Sequence, residues 1–279
     1  MPGAAVELAG VLSLVVGVRG ERCVATSQYH QGALRILRPH YLDDTGQVCY
    51  VVVNPGGGYV GGDEYEIDIT VEADARLLLT TQAATKVYRT PGTRAEQRMH
   101  IRLGPHASLE SVPDQLIAYR GATYRQATVI EMHPSASLVM AEVVTPGWSP
   151  DGTLFRYDEI RLRNEIAVDG RLVVLDNLLI RPGSGGAPAV GMAFLEDYTH
   201  LGSLLVMDAR VDAALLNELH DLLLPLAGGC NLGMSLLDGG LVVRALSHAT
   251  EPLDAVIRAG IDFLRVRWFG QPCLNLRKY

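Results

Sequence analysis

Residues 54–88 read NPGGGYVGGDEYEIDITVEADARLLLTTQAATKVY and hold the densest glycine cluster in the chain. The apolar run 48–53 leads into them. Asn54-Pro55 ends that run, because proline fixes φ and has no N–H to give to a sheet. A strand therefore feeds a glycine loop. Gly56, Gly58 and Gly61 have the G-x-G-x-x-G spacing of a dinucleotide loop, which needs a helix starting at the loop with its dipole aimed at phosphate. The residues that follow have the wrong period for a helix. Tyr65, Ile67, Ile69 and Val71 fall on one face and Glu64, Glu66, Asp68, Thr70 and Glu72 on the other, which is the alternation of a strand. No Gly-Lys-Ser/Thr follows either, so the loop is a poor seat for a pyrophosphate. The expected local structure is a hairpin: strand, glycine turn, strand, with glycines supplying positive φ.

Residues 77–89, LLLTTQAATKVYR, begin as a buried strand and then set Thr80, Thr81, Gln82, Thr85 and Lys86 close together. Two readings stand at this point. The strand leaves the core at Thr81 and its hydroxyls satisfy turn backbone, or the small polar residues form a contact surface.

The order of NPGGGYVGGD, ADARLLLTTQAATKVYR, Leu109-Glu110 with Pro113, and TPGWSPDG at 145–152 resembles the urease accessory protein UreD family, called UreH in some organisms. TTQAATKVY is the most specific part, and 29–180 carry the resemblance best. The chain departs from the family pattern at Ser111, at Gln115 and in its PCLNLRKY ending. The resemblance implies a stacked or helical β arrangement and a non-catalytic maturation scaffold. Its partners would be the urease apoprotein and the accessory proteins F and G, the latter a GTPase. Ni²⁺ would be passed transiently, with no cofactor held tightly. The partner-contact or structural motif it implies comprises Asn54, Pro55, Gly57, Gly58, Gly61, Gly62, Thr81, Gln82, Thr85, Lys86 and Tyr88.

A chain of 279 residues, 48% hydrophobic and 20% charged, can bury a sizeable core as one large or two smaller domains. Its net charge of −7 argues against nucleic acid, as do its only lysines, Lys86 and Lys278, which form no basic cluster. Cys23, Cys49, Cys230 and Cys273 are too dispersed for a metal knuckle or a disulfide framework, which points to a reducing, cytoplasmic setting. The apolar run 8–18 lacks the basic flank of a signal peptide, with Glu7 before it and Arg19 and Arg22 after it, and reads as the first strand. No apolar run reaches the length of a membrane span.

Along the chain, strands are expected at 11–18 and 33–37, with the polar stretch 27–32 connecting them. His30 and His40 stand alone and read as backbone-satisfied. Short strands and turns recur through 93–131, and another strand spans 136–144. Residues 154–168 and 171–180 form a hairpin about Asp169-Gly170. The segment 181–191, RPGSGGAPAVG, reads as a linker. Beyond it, apolar residues at 211, 215, 219, 222, 223 and 226 predict an amphipathic helix, with Asp208 as its cap. A hairpin about Asp238-Gly239-Gly240 and a final helix from Thr250 to about Trp268 follow. The expectation is a mainly β chain with many short strands: a 1–190 core, then a smaller α+β part, 191–279, carrying two helices. Exposed edges in so strand-rich a chain invite self-association, a homodimer included, unless a partner covers them.

No nucleophile elbow, His-Glu-x-x-His helix or Cys-His pair occurs, so carboxylates are the remaining chemistry. Asp63, Glu110, Asp114 and Glu142 sit beside turns or at positions where an apolar residue fits the pattern. Glu142 interrupts the run 138–144 and requires compensation, either by an arginine such as Arg120 or Arg125 or, functionally, in a polar channel or transient cation site. Scattered oxygen ligands hold Ni²⁺ loosely enough to release it, and Asp63, Glu110 and Glu142 are the candidate ligands. Two rivals from other classes are a hydrolase-like enzyme working through Glu110, Asp114 and Glu142, and a peptide-binding module built on TTQAATKVY.

Overall fold

The structure is a computed structural model that describes residues 8–183 and 195–276. Most of the expected linker 181–191 lies outside the described residues.

Strand alternation builds two facing sheets. β1 (Gly10–Arg19) and β2 (Arg22–Gly32) pair antiparallel, as do β3 (Arg35–Ile36) and β4 (Val48–Val53). Three coils follow, each passing from the first sheet to the second. They are β5 (Glu64–Val71) to β6 (Arg76–Thr81), β8 (Ala95–Leu103) to β9 (Ser108–Ser111), and β11 (Thr123–Met132) to β12 (Ser137–Val144). The short strands β7 (Thr85–Val87) and β10 (Leu116–Ala118) lie between coils and pair parallel with each other. β13 (Glu159–Val168) and β14 (Arg171–Ile180) form the hairpin expected at Asp169-Gly170, with both turn residues at positive φ.

The first sheet runs β14-β13-β11-β8-β5-β1-β2. Its central pairs are parallel and in register, so that Ile69, Ile101, Ile130 and Ile166 form one inward row, all fully buried. Leu77, Leu109 and Leu138 make the matching row on the second sheet. Each coil turns through a buried alanine, Ala75, Ala107 or Ala136, because only a small side chain fits where the chain bends between layers. These stacked coils are the helical β arrangement that the resemblance implied.

β15 (His200–Met207) pairs antiparallel with β12, β17 (Gly240–Ser247) with β15, and β16 (Cys230–Leu237) with β17. The second sheet therefore runs β16-β17-β15-β12-β9-β6-β4-β3. Its outer face is covered by α1 (Ala213–Leu223), continued by a 3-10 turn at Leu224–Leu226, and by α2 (Thr250–Phe269). One apolar core lies between the sheets and a second between the sheet and the helices.

Three local expectations change. The loop 54–63 is not a hairpin turn, because β4 belongs to the second sheet and β5 to the first. The glycines cross between layers instead. Residues 27–32 are not a connection but the second half of β2, an edge strand so exposed that no alternation marks it. The cap of α1 is Asp212, whose carboxylate accepts from Leu215 N at 2.8 Å, while Asp208 is buried and held by Arg210 and Ser137.

Candidate functional site

Register places polar side chains at one level of the inter-sheet core. Tyr65, Gln97 and Gln126 are cross-strand neighbours on β5, β8 and β11, one pleat from the Ile67, Met99 and Thr128 row. They form a polar row in two hydrogen-bonded parts joined by a ring stack. Tyr65 OH donates to Asp63 Oδ2 at 2.9 Å, and the Tyr65 ring stacks on Tyr59 with centroids 4.0 Å apart. Tyr59 OH donates to Gln97 Oε1 at 2.6 Å. Gln97 Nε2 and Tyr124 OH both donate to Gln126 Oε1, at 3.4 and 3.2 Å. Gln126 Nε2 then donates to Glu142 Oε1 at 3.1 Å, and Asn164 Nδ2 to Glu142 Oε2 at 3.0 Å. Beyond Glu142, Arg244 and Asp176 form an ion pair at 2.7 Å.

Glu142 points inward with Leu138, Met140 and Val144, while its neighbours Ala141 and Val143 face the helices. Burial pushes its carboxyl up to about 7, against the partial relief of hydrogen bonds from Asn164 and Gln126 and the field of Arg244. The compensation is therefore by amides. Neither Arg120 nor Arg125 pairs with it, and Arg125 is engaged by Glu159 at 2.7 Å. Asn164 is fully buried, and its Oδ1 has no hydrogen-bond partner. Burial likewise raises the hydroxyls of Tyr59, Tyr65 and Tyr124, which stay protonated as donors.

A cavity of about 110 Å³ runs along this row, lined by Tyr59, Gln97, Gln126 and Glu142 at depth and by Thr81, Thr85 and Asp114 toward the surface. The TTQAATKVY segment contributes Thr80, Thr81 and Thr85 to its lining. Tyr59 N donates to Lys86 O and Tyr88 N to Tyr59 O, both at 2.8 Å, which stitches the glycine loop to the TTQAATKVY segment. Gly58 permits this approach, since a Cβ there would lie 2.7 Å from Lys86 O. Asn54 Oδ1 accepts from Gly56 N at 2.9 Å and closes the turn after Pro55, and Gly62 turns the chain at φ 90°. Thr81 Oγ1 accepts from Asp114 N at 2.9 Å, which is the turn-satisfying role expected of it, while Gln82 stays exposed. Val52, Thr81, Thr85, Asn54 and Lys86 also line a neighbouring surface hollow of about 320 Å³.

Of the three candidate nickel carboxylates, Asp63 and Glu142 terminate this polar row, and Glu110 is elsewhere. Glu110 faces α2, where Arg265 holds it at 2.6 Å and holds Asp43 at 3.1 Å, with Gln47 adding a further bond to Glu110. Glu110 and Glu142 thus lie on opposite faces of the second sheet. Among the described residues, no group of three or more His, Cys, Asp or Glu side chains stands close enough to hold a metal ion. His30 Nδ1 is buried with no hydrogen-bond partner, in contrast to the backbone-satisfied histidine expected. Among the described residues, Cys23, Cys230 and Cys273 are free thiols. Among the described residues, no helix is long and apolar enough to cross a membrane. Sequence reasoning passed over Gln97, Gln126 and Asn164. Their signal was an amide at an inward position in each of three strand faces that are otherwise mainly apolar.

A family model described as UreD urease accessory protein matches residues 8–278. The chain belongs to the UreD family. A urease accessory protein UreD from Arthrobacter sp. (strain FB24) is 60% identical, covering 97% of this chain and 94% of its own. One from Paenarthrobacter aurescens (strain TC1) is 57% identical, over 97% and 95%. One from Actinomyces naeslundii is 50% identical, over 97% and 98%. The UreD resemblance of residues 29–180 thus extends through both helices to the C-terminal segment.

Proposed function

We propose that this chain serves the maturation of urease as a non-catalytic scaffold, binding the urease apoprotein and a complex of the accessory proteins F and G and helping to carry Ni²⁺ toward the urease centre. Membership of the UreD family supports the maturation role. The observation that carries the nickel step is the interior row from Asp63 to Glu142, the latter also held by Asn164. Oxygen donors hold a divalent ion less tightly than a Cys/His cage, which suits cargo that has to leave again. A carboxyl titrating at about 7 exchanges a proton for a cation near neutral pH. The TTQAATKVY segment lines the cavity through Thr80, Thr81 and Thr85, and the glycine loop lines the neighbouring hollow, where a partner that hands over the ion would dock. The hydrolase reading needs Glu110, Asp114 and Glu142 in one pocket, and Glu110 faces away from it.

Co-expression with the apo-urease subunits, with and without F and G, tests the scaffold: co-purification is expected, and a folded chain that captures none of them ends this reading. Urease activation by Glu142→Gln tests the route. A large loss of activation with association retained is expected, and wild-type activation would remove Glu142 from it. Replacing Lys86 and Tyr88 together by alanine is expected to weaken association, and full association would place the contact surface elsewhere.

A further inference from the structure

Arg89, Arg120 and Arg156 stand on separate segments of the chain yet line one open basin of about 630 Å³, together with Thr90, Gly121 and Asp158. The backbone locks these segments together. Thr90 N donates to Gly121 O at 3.1 Å, Gly121 N to Arg156 O at 2.9 Å and Arg120 N to Trp148 O at 2.9 Å. Gly121 adopts φ 71°, and a Cβ there would lie 3.3 Å from Arg89 Cγ, so the glycine leaves room for the arginine stem. All three arginines are exposed, and among the described residues none forms an ion pair. The strand arginines behave differently: Arg98, Arg125 and Arg163 hold Glu64, Glu159 and Glu165. Asp158 shares the basin without closing a pair, so three guanidiniums and one carboxylate leave an excess of positive charge. Gathering like charges is unfavourable. In a chain of net charge −7 with surplus acids, it is also unforced by composition.

We propose that this basin is an oxyanion-binding site for a multiply charged ligand that presents phosphate or carboxylate oxygens. Guanidinium forks match such oxygens bidentately, and convergence of three of them rewards more than one anionic group. The ligand is either a small free anion or an acidic stretch of polypeptide, and both offer the same chemistry. Beside the basin, the rings of Tyr88, Tyr119 and Trp148 follow one another with centroids 4.9 and 5.0 Å apart, and half-exposed Trp148 provides a built-in fluorescent reporter.

Pyrophosphate, citrate and a hexaglutamate peptide would each be titrated calorimetrically into the full chain, and into Arg120→Ala, Arg156→Ala and the triple alanine variant of all three arginines. Saturable binding of at least one probe is expected, weakened about tenfold by each single substitution and abolished in the triple variant. Binding of pyrophosphate or citrate assigns a small anion, and binding of the peptide alone assigns an acidic polypeptide. Thermal unfolding should stay unchanged, since the three side chains are exposed. Glu142→Gln should bind the same probe as well as wild type, which separates this site from the nickel route. Saturation by none of the probes, or undiminished binding to the triple variant, would overturn the proposal.

Discussion

Glu142 costs the fold something that can be read as a function of pH. Its carboxyl titrates at about 7 in the folded chain against 4.5 when free, so the folded state binds the proton more tightly. That stabilisation is fully present below about 4.5 and is lost as pH rises through about 7, a difference on the order of 3 kcal/mol. Glutamine cannot ionise. Urea unfolding of wild type and Glu142→Gln at several pH values should therefore show wild type losing more stability than the variant across that window. Parallel pH profiles would mean that the carboxyl is solvated rather than buried. Gly58 poses a different residue-scale constraint. A methyl there meets Lys86 O at 2.7 Å and Tyr88 Cε2 at 2.6 Å, so Gly58→Ala should destabilise by about 1–3 kcal/mol. Gly62 has open space around it, and Gly62→Ala should carry only the backbone strain of φ 90°. Thermal melts of the two variants test contact and strain separately, and a Gly58→Ala variant as stable as wild type would contradict the packing argument.

At the scale of elements, α2 adds one buried polar anchor to its apolar packing on the second sheet. Arg265 is 3% exposed and joins Glu110, Asp43 and Gln47, while its Nε donates to Pro272 O at 3.0 Å and ties down the chain after the helix. Arg265→Met leaves two carboxylates beside an apolar face without their cation, an expected loss of about 3–5 kcal/mol in chemical unfolding. Adding Glu110→Leu should recover part of it. A double variant no better than the single one would show that Glu110 is not the group left uncompensated. What was legible in the sequence follows the same physics. β5, β12 and the two hairpins were readable because period two, a bounded apolar run and Asp-Gly turns are local signals. β2 was not, since an exposed edge strand needs no alternation. The glycine loop was misread as a hairpin turn because its partner, the backbone of residues 86–88, is distant in sequence. Asp208 was taken for a cap on spacing alone, but it is spent on Arg210, and Asp212 has the extended φ of −140° that a cap requires. Glu142 was found by its break in an apolar run. Glu110 breaks one too, and only the fold reveals that its face of β9 meets Arg265 rather than the cavity.

Across the whole molecule, one phrase repeats: an apolar residue, three turn residues, alanine, one residue, leucine. It occurs as Val71-Ala75-Leu77, Leu103-Ala107-Leu109 and Met132-Ala136-Leu138, once per coil. Each coil buries its strands only against its neighbours, so the stack has two exposed ends that something must cover. On the second sheet, the last coil strand β12 is covered by β15, which pairs with seven consecutive residues from Leu138 to Val144. The helices then cover the outer face through Leu215, Leu219, Leu253, Val256 and Ile261, all nearly fully buried. A chain ending at residue 183 would lose the strand, both helices and Arg265 together. It would expose the unpaired edge of β12, the apolar face of Val139, Ala141 and Val143, and the uncompensated Glu110. Each exposure favours pairing with another chain over folding alone. Expressed without residues 184–279, the coil region should therefore aggregate or co-purify with chaperones. Adding 195–276 as a separate polypeptide should restore solubility by re-pairing β15 with β12. A soluble, monomeric and protease-resistant 1–183 fragment would show instead that the coils form an independent domain and that the C-terminal strands are an accessory to it.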